Sequence, residues 1–318
     1  MKAPNIPLDE TERLKTLRSL NVLDTLPEER FERLTRMAKR MFGVPIALVS
    51  LIDEDRQWFK SNIGINASET PREISFCGHA ILGNSVFIVP DTREDPRFSD
   101  NPLVLNDPKI CFYAGCPLEV NGYRLGTLCI LDQVPRNFDE EDIELLKDLA
   151  SMVERELTAI QMATMDELTD ISNRRGFMLL AKQSLNLCIR QELPAVLVFL
   201  DLDKFKPIND TFGHAEGDSV LITFADLMKK TFRNSDVFAR LGGDEFAVLL
   251  SSTSRKQAEV VIDKFCHSLQ KYNQAVKRGY DVEYSYGIVE FNQNKHESIE
   301  ALLADGDSLM YEAKKSKR

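Results

Sequence analysis

The sequence predicts an α+β protein of two units joined by a long helix. Three observations carry that expectation. At 318 residues the chain has the length of about two ordinary domains, each able to bury its own core. Hydrophobic spacing switches between helical and strand periods on both sides of one helical stretch, Phe138 to Met165, which contains no Gly or Pro and so reads as a stiff connector. Hydrophobic residues at 43% and charged residues at 28% are ordinary globular usage, which excludes wholesale disorder.

In chain order, Leu14, Leu17 and Leu20 recur at helical spacing and predict an N-terminal helical segment, residues 1–22. A second helix follows Pro27, with Phe31, Leu34, Met37, Ala38 and Met41 as its apolar stripe and Gly43 and Pro45 at its end. Ile46 to Ile52 reads as a buried strand, Asp53-Glu54-Asp55 as a turn and Gln57 to Lys60 as the return strand. Further strands are expected at Val86–Val89, Phe112–Leu118 and Leu125–Leu131, with Asn121-Gly122 as a hairpin turn between the last two. Strands flanked by helices at both ends give a sensor-like α+β unit over residues 23–157. Within the connecting helix, Leu146, Leu149, Val153, Leu157 and Ile160 step by three and four. That seam suits a two-stranded coil and equally a helix packed on its own domain.

After Asp166, residues 166–318 form the second unit. Strands are expected at Ala195–Leu200, on both sides of Gly242-Gly243-Asp244-Glu245 within Val237–Ser251, and at Val282–Val289; helices at Asp218–Phe232, Lys256–Lys271 and Ser298–Lys315. The order β-α-β-β-α-β-α predicts an antiparallel, ferredoxin-like sheet of the polymerase-palm type, covered by helices on one face.

Composition narrows the partners. With 40 Lys and Arg against 50 Asp and Glu, the net charge is −10, which argues against nucleic acid or an anionic membrane surface as main partner. The six cysteines are scattered, without a C-x-x-C pair or a histidine at zinc spacing, so reduced thiols are expected. The first residues lack a signal-peptide core, and the longest apolar runs, Val44–Ile52 and Ala195–Leu200, fall short of the roughly 18 residues that span a bilayer. A cytoplasmic protein without a membrane span is the expectation.

The chemistry concentrates in two stretches. The strand Val196–Leu200 runs directly into Asp201-Leu202-Asp203. Taken alone, Asp201 is as well explained as a residue capping the following turn. Gly242-Gly243-Asp244-Glu245 is likewise compatible with a plain tight turn. In a β-α-β-β unit, however, the strand end and the hairpin turn can be neighbours, converging two or three carboxylates. Such a cluster calls for a cation, and hard oxygen ligands select Mg²⁺ or Mn²⁺ with positions left for phosphates. Two metals about 4 Å apart can activate a hydroxyl and stabilise a leaving pyrophosphate, so nucleotidyl transfer is the natural reaction.

Arg240-Leu-Gly-Gly-Asp-Glu-Phe246, Asp201-Leu-Asp-Lys-Phe-Lys-Pro-Ile-Asn-Asp210, Thr211-Phe-Gly-His214 and Gly217-Asp218 resemble the GGDEF family of diguanylate cyclases, which condense two GTP into cyclic di-GMP and two pyrophosphates. The resemblance implies Asp201, the Leu202 carbonyl and Asp244 as ligands of two Mg²⁺ or Mn²⁺ ions, with Glu245 a further ligand and Asp244 also the base toward the ribose 3′-hydroxyl. It implies Lys206 as the phosphate-contacting lysine, Asn209 and Asp218 as the guanine-recognising pair with His214 nearby, and Gly242 and Gly243 as the turn against the substrate. Lys314 and Arg318 would meet the β- and γ-phosphates, and Arg233 with Asp236 matches the Arg-x-x-Asp inhibitory product site. Plain structural roles compete: an N-cap for Asp218, a solvated turn for Lys206, packing for His214, a basic helix end for Lys314 and Arg318, and a helix exit for Arg233 and Asp236.

One departure is visible. The family opens with Asp-x-Leu-Thr-Gly-Leu-Pro-Asn-Arg, whereas this chain has Asp170 and Ser172 at the Gly and Pro positions of Asp166–Arg174. That reads as a structural variation with activity kept. Residues 23–157 resemble GAF sensor domains through Arg56-Gln-Trp-Phe-Lys60, Ser75-Phe-Cys-Gly-His-Ala-Ile81, Pro90-Asp91 and Gly126-Thr-Leu-Cys129. The implied protein is a GAF–GGDEF cyclase, active as a homodimer and controlled through the GAF domain, where an unknown small molecule can bind. Cys77 and His79 could form a redox or metal site there, but core packing is the better explanation of an isolated Cys-x-His in an apolar stretch. The alternative from another class is a catalytically silent receptor that binds cyclic di-GMP through Arg233 and Asp236.

Overall fold

The computed structural model describes residues 1–316 except residue 234, and the chain divides into two compact units that meet in sequence at Gln161 and Met162. Arg318, expected at the phosphates, lies outside the described residues. Among the described residues no helix is long and apolar enough to cross a membrane.

The first unit contains α1 (Glu10–Ser19), α2 (Glu29–Phe42), β1 (Ile46–Ile52), β2 (Arg56–Ile63), β3 (Glu69–Pro71), α3 (Phe76–Ala80), β4 (Phe87–Val89), α4 (Pro102–Leu105), β5 (Phe112–Val120), β6 (Tyr123–Asp132) and most of α5 (Glu140–Thr164). Its antiparallel sheet runs β3-β2-β1-β6-β5-β4. The β5–β6 hairpin turns on Asn121 and Gly122, at φ +54 and +81, the positive-φ pair that a two-residue turn of this hand requires. Every residue of β1 is buried, because the sheet is covered on both faces. On one face Ala47, Val49 and Leu51 pack with Leu14, Leu17, Phe31, Leu34 and the α5 residues Leu146, Leu149, Val153 and Leu157. On the other, Ile46, Leu48 and Ile52 pack with Phe76, Cys77, Phe98 and Tyr113.

Two expectations are settled here. The α5 seam is spent within the unit: Leu146, Val153 and Leu157 are fully buried, so the two-stranded-coil reading of these positions gives way to packing on the unit's own sheet. A sheet face of Ala47, Val49 and Ala114 leaves depth for long Leu side chains, which is what draws the helix in. The N-terminal segment is not separate. Arg13 on α1 is buried and donates to the Ile52 carbonyl at 2.6 Å, while Leu17 and Leu20 are fully inside.

The second unit contains β7 (Met165–Asp166), β8 (Ile171–Ser172), α6 (Arg174–Arg190), β9 (Ala195–Asp203), α7 (Phe205–Phe212), α8 (His214–Thr231), β10 (Val237–Gly242), β11 (Glu245–Ser251), α9 (Arg255–Val276), β12 (Glu283–Glu290) and α10 (Ile299–Ser316). The sheet order is β12-β9-β11-β10-β8-β7. Its first four strands are antiparallel and form the ferredoxin-like arrangement.

The one-face expectation is corrected. Val196, Val198 and Leu200 pack toward Phe224 of α8 and Phe265 of α9, whereas Leu197 and Phe199 pack toward Phe177 of α6 and Leu302 of α10. Helices therefore cover both faces. The unbroken apolar run of β9 is the signature of a strand buried on two sides. The sequence reading also passed over α6, whose first turn is capped by Asn173 Oδ1 accepting from the Gly176 N–H at 3.0 Å, and α7.

Candidate active site

The site begins where β9 leaves the core. Asp201 is directly opposite Glu245 of β11 and Ser285 of β12, so the antiparallel register brings the GG turn to the strand's end. One backbone hydrogen bond joins the two: the Leu202 N–H donates to the Asp244 carbonyl at 3.1 Å. Residues 243 and 244 form a two-residue turn closed by the Gly242–Glu245 pair. Gly243 adopts φ +51 and Gly242 φ +152, conformations that disfavour a side chain and hold Asp244 out at the tip.

The carboxylates at this end of the sheet feel one another's charge. Burial, with repulsion from Asp244 and Asp203, pushes the Asp201 carboxyl above its ordinary range against the opposing hydrogen bond from Lys314. Lys314, on α10, places its ammonium on Asp201 Oδ1. Glu245 is also pushed up, by burial first and then by Asp307, Asp201 and Asp244, with Arg174 pulling the other way. Among the described residues no group of three or more His, Cys, Asp or Glu forms a ready cation cage. Two carboxylates and a main-chain carbonyl are nevertheless the sparse, hard-oxygen set that Mg²⁺ takes when phosphates and water supply its remaining positions. An Asp201 carboxylate desolvated and pressed by like charge fits such a cation.

A cavity of about 840 Å³ adjoins this point, lined by Leu202, Lys206, Asp244 and Lys314 together with Asp203, Phe205 and Tyr284. Lys206 is exposed on the first turn of α7, reached through Lys204, which adopts the left-handed φ +58. Asn209, His214 and Asp218 do not line the cavity. They stand instead on α7 and the first turns of α8, where a Cβ on Gly217 would overlap the Asn209 amide oxygen. Asp218 is the fifth residue of α8, which starts at His214 after Gly213. The N-cap role for Asp218 is thereby excluded, and the helix starts four residues before the expected point. His214 is exposed at the helix start.

Arg233 and Asp236 lie apart from this cluster, at the other end of β10 from the GG turn, which over six residues is about 20 Å. The Asp236 carboxylate accepts from the Arg233 N–H at 2.9 Å, and burial pushes its carboxyl up against that bond. Half of the pair is therefore engaged in shaping its own turn.

Three supporting residues escaped the sequence reading. Arg240 donates from Nε to the Gly243 carbonyl at 2.9 Å and from a terminal nitrogen to both Asp166 oxygens at 3.1 and 3.2 Å. It ties the GG turn to the unit's first strand. Asp166 also accepts from the Thr169 hydroxyl at 2.6 Å. Ser285 donates to both oxygens of Asp203 at 2.8 and 3.1 Å, clamping β12 to the end of β9. An Arg two residues before a Gly pair was the available signal for the first; the others depend on long-range partners. The variant opening motif also resolves. Asp170 adopts φ +51, the left-handed conformation that Asp tolerates in place of Gly, and Ser172 pairs with Ala239.

The family model described as "Diguanylate cyclase, GGDEF domain" matches residues 163–318, and the "GAF domain" model matches residues 26–157. Cyclic di-GMP phosphodiesterase PA2567 of Pseudomonas aeruginosa is 31% identical over 91% of this chain and 49% of its own length. Probable diguanylate cyclase DgcE of Escherichia coli is 31% identical over 65% of this chain and 17% of its own length. The solved GGDEF domain of PA1120 from Pseudomonas aeruginosa is 34% identical, covering 46% of this chain and 92% of that one with a TM-score of 0.42. The chain thus spans about half or less of the two curated relatives named here. The two family-model matches give the chain a GAF domain followed in sequence by a GGDEF domain.

Proposed function

We propose that the second unit is a diguanylate cyclase that condenses two GTP into cyclic di-GMP and two pyrophosphates. The observation that carries this reading is the register that sets Asp201 opposite Glu245, next to the turn residue Asp244, together with the cavity that Asp244, Lys206 and Lys314 line. Asp201, the Leu202 carbonyl and Asp244 would hold Mg²⁺ or Mn²⁺, with Glu245 a further ligand. When bound, the cations would supply Lewis-acid polarisation of the α-phosphate and lower the pKa of the attacking hydroxyl. Asp244, on the turn, accepts the 3′-hydroxyl proton. Lys206 and Lys314 face the phosphate charge that grows as pyrophosphate departs, and Lys314 exchanges its Asp201 contact for that role. Asn209 orients guanine from α7, and the Asp218 carboxylate accepts from the guanine N1–H and exocyclic amino group, donors that adenine does not present together. Gly242 and Gly243 leave the turn bare for close approach of the nucleotide.

One such site holds half of the substrate, so catalysis needs a homodimer, with each subunit presenting one GTP. The GAF domain would govern that pairing, a population shift between competent and separated arrangements. Arg233, with Asp236, would bind product at a distance from the catalytic turn, which suits feedback inhibition. The receptor-only alternative would leave Asp201, Lys206 and Asp244 without purpose. Because one relative is named a phosphodiesterase, the test runs both directions. Purified protein is incubated with Mg²⁺ and either GTP or cyclic di-GMP, and products are separated by chromatography. Cyclic di-GMP should form from GTP, and Asp244→Ala should lower its formation at least about 100-fold with an unchanged circular dichroism spectrum. Turnover retained by Asp244→Ala, or hydrolysis of cyclic di-GMP in place of its formation, would refute the assignment.

A further inference from the structure

The first unit holds a pair of thiols that the proposed cyclase chemistry does not use. Cys77 on α3 and Cys129 on β6 are 52 residues apart in sequence, yet their sulfurs stand at 3.6 Å, and both side chains are buried. This is contact distance, within about 1.5 Å of the roughly 2.05 Å of a disulfide bond. The surroundings are polar for so deep a place. Tyr113 donates its hydroxyl to the Cys77 sulfur at 3.3 Å, and the hydroxyls of Ser50 and Thr127 meet at 3.1 Å on the neighbouring rungs of β1 and β6. His79, by contrast, meets the Lys2 carbonyl at 2.9 Å and takes no part in the Cys77–Cys129 contact.

We propose that Cys77 and Cys129 are a peroxide-reactive thiol pair that closes to an intramolecular disulfide. Burial disfavours the Cys77 thiolate, but hydrogen bonds from Cys129, Ser50, Thr127 and Tyr113 outweigh it and bring the thiol below its ordinary value, whereas burial holds Cys129 well above. The Tyr113 hydroxyl, which donates to the Cys77 sulfur at 3.3 Å, assigns the attacking role to Cys77 and leaves Cys129 as its partner. The Cys77 thiolate attacks one oxygen of hydrogen peroxide; the O–O bond breaks, leaving sulfenic acid on Cys77 and a hydroxide that takes up a proton to become water. The Cys129 thiol then gives up its proton and attacks the Cys77 sulfur. An S–S bond forms, the S–O bond breaks, and the hydroxide leaves with that proton as a second water. Two thiols have lost two electrons to one peroxide. Both sulfurs line a cavity of about 20 Å³, room for one water-sized molecule, so the oxidant must be small. By comparison, burial and Glu154 push the half-buried Cys116 up to about 11, which makes it a poor attacking group.

The test uses the full chain, reduced and then treated separately with hydrogen peroxide and with oxidised glutathione. Remaining thiols are alkylated, and a non-reducing digest is read by mass spectrometry. Peroxide should yield a joined Cys77–Cys129 peptide about 2 Da lighter than the sum of its parts, and glutathione disulfide should not. In Cys129→Ser, dimedone should trap sulfenic acid at Cys77; in Cys77→Ser, peroxide consumption should fall at least about ten-fold. A parent protein whose Cys77 and Cys129 both stay alkylatable after peroxide, or whose Cys116 or Cys266 is oxidised first, would overturn the proposal without recourse to any variant.

Discussion

The carboxylate of Glu10 offers a direct measure of how firmly α1 belongs to the first unit. It accepts from Arg13 at 2.8 Å through two guanidinium nitrogens and from Arg72, and Arg13 is 1% exposed. Burial works against the Glu10 charge, but the two arginines prevail and bring its carboxyl from 4.5 to about 2. At about 1.4 kcal/mol per pH unit, that fall corresponds to about 3 kcal/mol, reduced to about 2 kcal/mol once screening of the exposed part of the carboxylate is allowed for. Because the folded-state value is the lower one, the contribution is complete above pH 4.5 and fades as pH falls toward about 2. Glu10→Gln keeps the shape and removes the charge, leaving two buried guanidiniums without their partner. Urea unfolding followed by circular dichroism should show the variant less stable by about 2 kcal/mol at pH 7, with the gap shrinking by about half near pH 3. A variant within about 0.5 kcal/mol of the parent at pH 7, or a gap that stays constant on acidification, would refute the argument.

Three further outcomes follow from the packing and the active-site geometry. Leu157→Ala should cost about 2–4 kcal/mol of stability, because Leu157 is fully buried in the first unit's core, while sedimentation should show self-association unchanged; a variant that alters only self-association would restore the coiled-coil reading. Gly217→Ala forces its Cβ against the Asn209 amide, so KM for GTP should rise about five- to ten-fold, about 1 kcal/mol of binding, with kcat changed less. Arg240→Ala releases the Gly243 carbonyl and Asp166; losing charge-assisted bonds of about 1.5–3 kcal/mol should lower kcat by about ten-fold or more at similar KM, and rates within two-fold of the parent would show that the turn holds Asp244 without that arginine.

Local signals were legible in the chain, and those that needed a distant partner were not. Asn121-Gly122 announces its hairpin because positive φ is a property of those two residues alone. The end of β9 and the GG turn were readable for the same reason: an apolar run stops at Asp201, and two glycines precede Asp244. The start of α8 was misplaced at Asp218 because a good capping residue outshone the quieter Gly213-His214 beginning. The seam from Leu146 to Leu157 shows the limit most clearly, since its spacing specifies an apolar stripe and says nothing about what covers it. Only the fold supplied the sheet face that does.

The sequence by itself determined the two-unit α+β plan, the strand and turn that bear the acidic residues, and the hairpin of the first unit, because each rests on backbone preference or on the period of neighbouring side chains. Tertiary structure alone decided that helices cover both faces of the second sheet, that Arg240 bridges Gly243 and Asp166, and that Cys77 meets Cys129. Strand register and packing bring such residues together across tens of positions, and no periodicity within either segment records where the other will be.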